Sequence, residues 1–104
     1  MSAPSDLAIR HAGFLKAELE LGFTFSTIAS QRFETGYEEA AGKSLVNAEK
    51  AYETVSRFLS DPKHSRRLSD AEIHNLTAEL GRLRERLVKL DHFRSQPRAK
   101  GSTR

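Results

Sequence analysis

Cysteine is absent from the chain, which excludes disulfide staples and thiolate metal sites and fits a reducing compartment. The three prolines, Pro4, Pro62 and Pro97, all lie outside the stretches of regular apolar spacing, so nothing interrupts those stretches. No window approaches the roughly 20 apolar residues that a membrane-spanning helix needs. The first residues, Met1 to Asp6, lack a positive run followed by an apolar run, so no secretory signal is expected and the cytoplasm is the expected location. Catalytic signatures are missing as well: no Gly-x-Ser-x-Gly, no cysteine nucleophile and no glycine-rich phosphate loop. Gly42-Lys43-Ser44 matches the end of such a loop, but Tyr37 stands where its first glycine belongs. No Glu-x-x-His pair of the di-iron bundle type occurs among His11, His64, His74 and His92. Asp70 and His74 lie one helical turn apart, yet an acid at the start of a helix is explained by capping alone. Neither an enzyme, a metal nor a cofactor is therefore expected.

What the chain does have is apolar periodicity. Ala41, Leu45, Ala48, Tyr52, Val55 and Leu59, and then Ile73, Leu76, Leu80, Leu83, Leu87 and Leu90, step alternately by four and three. That is the seam of a helix lying lengthwise against another helix. At 104 residues there is room for one domain with one modest core. The fold class expected is all-α, a three-helix antiparallel bundle made of a long helical hairpin and a third helix, over residues 1–93.

The boundaries follow from local chemistry. A first helix is expected from about Asp6 to Glu34, stopped by Thr35 and Gly36 because glycine takes the left-handed cap conformation without steric penalty. A second is expected from Tyr37 to Ser60, with Glu38 and Glu39 favoured by the dipole at its start. The polar run Asp61 to Arg67 reads as a connection. Ser69-Asp70-Ala71-Glu72 matches a capping box, so a third helix should start there and end near His92 or Phe93. Beyond that, 94–104 offers nothing to bury and is expected to be a disordered basic tail.

The first helix carries two apolar rows, one of Phe14, Leu21, Phe25 and Ile28, the other of Ala8, Ala12, Leu15, Leu19, Gly22, Ala29 and Phe33. The width of that combined face predicts contact with two partners. The hairpin core is expected to draw on Phe14, Leu21, Phe25, Ile28 and Phe33 against the row of the second helix.

Leu21, Gly22 and Phe25, followed by the small-large-small triple Ala41, Leu45, Ala48 and the turn from Gly36 to Ala40, resemble an extended tetratricopeptide-type hairpin over residues 18–60. The chain is also similar to short helical proteins of bacterial genomes. The first resemblance implies a helical hairpin and protein binding; the second implies no activity.

Charge divides unevenly. Residues 1–60 hold six Lys/Arg against eight Asp/Glu, and 61–104 hold eleven against six. Arg82, Arg86 and Lys89 share one side of the third helix, and Arg94, Arg98 and Lys100 continue the basic arm, a pattern that suits phosphate contacts. Arg66-Arg67-Leu68-Ser69 is a pattern basophilic kinases accept, although Ser69 is sufficiently explained as a cap. The reading favoured by these residues is a self-associating protein-interaction module, with the leucine row Ile73, Leu76, Leu80, Leu83, Leu87 and Leu90 as the expected partner or dimer interface. The competing reading is a nucleic-acid-associated protein that uses the basic arm.

Overall fold

A computed structural model describes residues 3–95 of the chain. Four helices follow in order, α1 (Ala3–Glu34), α2 (Glu38–Ser60), α3 (Pro62–Ser65) and α4 (Asp70–Ser95), and no strand occurs among the described residues. The fold class is all-α. Its Cα atoms fill a rod of 66 × 17 × 17 Å.

The helix ends follow the local chemistry closely. Gly36 has φ +88, and around it Tyr37 N–H donates to Arg32 O at 2.8 Å and Gly36 N–H to Phe33 O at 3.3 Å. This pair of bonds satisfies carbonyls that the end of α1 would otherwise leave free. At the start of α4 the capping box is complete: Glu72 N–H donates to Ser69 Oγ at 3.0 Å, and Ser69 N–H donates to Glu72 Oε1 at 2.8 Å.

Three boundaries differ from the expectation. α1 begins at Ala3 rather than Asp6, which places Pro4 in the first turn, where its missing N–H deprives no carbonyl. The polar connection contains the short helix α3, because Asp61 Oδ1 accepts Lys63 N–H at 2.9 Å and Pro62 supplies a φ suited to a first helical position. α4 continues through Ser95, so Arg94 and Ser95 belong to the helix and not to a tail. Arg94 holds that last turn through ion pairs to Glu49 and Asp91. Residues 96–104 lie outside the described residues.

The senses of the long helices can be read from their contacts. Phe14 packs on Phe58 and Arg32 donates to Ser44, so α2 runs back along α1. Arg86 reaches Ser26 and Thr27, and Phe93 stacks on Phe33, so α4 runs beside α1 in the same sense. Arg94 meets Glu49, which sets α4 against α2.

The core draws one row from each long helix. α2 buries Ala41, Leu45, Ala48, Ala51 and Val55, with Tyr52 and Leu59 half-buried at the edge. α4 buries Leu76, Leu80, Leu83, Leu87 and Leu90. α1 supplies Leu15, Leu19, Gly22, Ser26, Ala29 and Phe33, again in steps of four and three. This corrects the expected hairpin core: of Phe14, Leu21, Phe25, Ile28 and Phe33, only Phe33 is buried, while Phe14 and Leu21 are 44% and 48% exposed. Two small residues decide which row turns inward. A methyl added at Gly22 would lie 2.7 Å from Leu83 Cδ2 and 3.3 Å from Ala51 Cβ, so all three long helices converge on that glycine. Ser26 fits beside it because its hydroxyl donates to Phe23 O at 2.7 Å and so enters the core satisfied. Gly81, by contrast, has nothing within 4 Å of such a methyl and marks no close approach.

Candidate interaction surfaces

The leucine row of α4 is spent inside the chain. Leu76, Leu80, Leu83, Leu87 and Leu90 are buried against α1 and α2, and Ile73 is half-buried at the lower end of the row. Fully burying a leucine contributes about 1.5–3 kcal/mol, so presenting this row to a partner would cost most of the core.

The basic side chains of α4 are also largely committed. The Arg86 guanidinium lies 5.2 Å from the centroid of the Phe23 ring and its Nη1 donates to Thr27 Oγ1 at 3.1 Å and, more weakly, to Ser26 Oγ at 3.4 Å. A cation over an aromatic face, with its stem laid across the α1–α4 seam, acts as packing as much as charge. Arg82 pairs with Glu79 one turn back. Arg94 donates to both carboxylate oxygens of Glu49, at 3.4 and 2.9 Å, and also to Asp91. The Glu49 hydrogen bonds raise the Arg94 pKa further above its ordinary value; partial desolvation works against them, and Asp91 adds to them. Lys89 is exposed. Arg98 and Lys100 lie outside the described residues. Over the whole of α4 the five Lys/Arg are matched by Asp70, Glu72, Glu79, Glu85 and Asp91, whereas from Arg82 to Ser95 the same five face only Glu85 and Asp91, so the described part of the basic arm keeps a net positive charge of which Arg86 and Arg94 are engaged within the chain.

A cleft of about 430 Å³ opens between α1 and α4. Its floor is Ala12, Leu19, Phe23 and Leu76, and its rim holds Lys16, Glu20, Glu72, Asn75 and Glu79. Two of those carboxylates already have tasks, Glu72 in the capping box and Glu79 with Arg82. Among the described residues no three His, Asp or Glu side chains converge in a way that could hold a metal ion. The His64 ring lies tilted by 38° against Phe58 with centroids 4.4 Å apart, and its Nε2 lies 3.8 Å from Asp61 Oδ2 at the α2–α3 corner. No described helix is long and apolar enough to cross a membrane.

The outer flank of α1 is different. Phe14 and Leu21 stand about half exposed, and Phe25 and Ile28 are half-buried beside them. These four residues follow one another down one side of α1, on the flank where Phe14 meets Phe58 of α2 and away from the Arg86 contact with α4. Large apolar side chains gathered on one flank are a feature that marks protein contacts, and Phe14 and Leu21 stand out on α1, while the other exposed large hydrophobics, Tyr37, Val46, Val88 and Phe93, are spread over α2, α4 and the turn between α1 and α2. The sequence offers both rows of α1, and the hairpin core expected from Phe14, Leu21, Phe25, Ile28 and Phe33 takes the wrong one; Ser26, which fills the gap between Gly22 and Ala29, completes the four-three spacing of the row that turns inward.

No protein-family model, no curated protein and no solved structure matches the chain.

Proposed function

We propose that the three long helices form a three-helix antiparallel bundle that works as a non-catalytic assembly module, associating with itself in the cytoplasm. The observation that carries this reading is the apolar outer flank of α1, with Phe14 and Leu21 about half exposed in a chain whose leucine row is already used internally. Such a surface gains free energy by meeting another protein surface and has no catalytic groups gathered on it. The lengthened tetratricopeptide-type character of residues 18–60 points the same way, toward protein binding. Two supports together favour a packing role over phosphate binding: Arg86 is laid on Phe23, and Arg94 is held by Glu49 and Asp91. Sedimentation equilibrium on the full chain tests the reading. A species of twice 11.7 kDa at micromolar concentration is expected, and a strict 11.7 kDa species up to several hundred micromolar would refute it.

A further inference from the structure

We draw no further inference here: the strongest candidate, the cleft between α1 and α4 over Ala12, Leu19, Phe23 and Leu76, has its carboxylates Glu20, Glu72 and Glu79 offset by Lys16 on the rim, Arg82 paired to Glu79 and Arg86 laid on Phe23, so nothing in the structure shows what covers it.

Discussion

Two glycine-to-alanine substitutions on the long helices should move stability in opposite directions. At Gly81 the added methyl meets nothing within 4 Å, so only the intrinsic helix preference changes, a gain of about 0.5–1 kcal/mol. At Gly22 the same gain applies, but the methyl would lie 2.7 Å from Leu83 Cδ2, inside any normal carbon contact. Leu83 has no exposed surface into which it could swing, and Ala51 Cβ at 3.3 Å closes the other side. Overpacking of this kind costs typically 1–3 kcal/mol, enough to outweigh the helix preference. Gly22→Ala should therefore lose about 1–2 kcal/mol overall, and in a domain of this size each kcal/mol moves Tm by about 4–8 °C. Urea and thermal unfolding followed by circular dichroism at 222 nm would measure both variants, at one fixed protein concentration because association shifts apparent stability. Combining Gly22→Ala with Leu83→Ala should cost less than the sum of the two single changes, because the second removes the atom the first strikes. If Gly22→Ala proved as stabilising as Gly81→Ala, the three helices would not converge at that glycine and the account of the core would fail.

Removing the hydroxyl of the capping box by Ser69→Ala should lower stability by about 1 kcal/mol, measured by urea unfolding, since Glu72 N–H then loses its acceptor. Arg94→Ala should cost less than about 1 kcal/mol because its ion pairs with Glu49 and Asp91 are partly exposed, and 1 M NaCl should shrink the difference from wild type. The raised Arg94 pKa means that its charged form is favoured on folding. Its contribution is then fully present at neutral pH and is lost only as pH rises into strong alkali, so it should add no slope to stability between about pH 6 and 9. Arg86→Ala should destabilise the chain by detaching α4 from Phe23 and Thr27, and a low-salt titration of the wild type with duplex DNA or RNA should show no salt-dependent binding. Tight binding that Arg86→Ala left stable in fold but abolished would show that this side chain faces phosphate.

The local signals of the chain were legible and the tertiary choices were not. Gly36 and the Ser69–Glu72 box mark helix ends because their bonds close within six residues, so the identity of those residues suffices. Helical seams are similarly readable on α2 and α4, where each has a single dominant apolar row. On α1 two rows compete, and the larger side chains lie on the row that stays outside. What tips the choice is the convergence of Ala51 and Leu83 on Gly22, a fact about three helices at once that no single segment encodes. The arm of basic residues misleads for the same reason: Arg86 and Arg94 look free until Phe23 and Glu49, 63 and 45 positions earlier in the chain, are brought beside them.

A seam made almost wholly of leucine cannot tell itself from its own image shifted along the axis. Sliding α4 by seven residues, about 10 Å, would again set leucine where leucine had been, Leu76 or Leu90 taking the place of Leu83. The fasteners that have no duplicate seven residues away are Arg86 over Phe23, Phe93 on Phe33 and Arg94 at Glu49. Their modest energies thus act chiefly as an alignment key, and a chain stripped of all three would remain helical and collapsed while losing the unique phase between its third long helix and the hairpin.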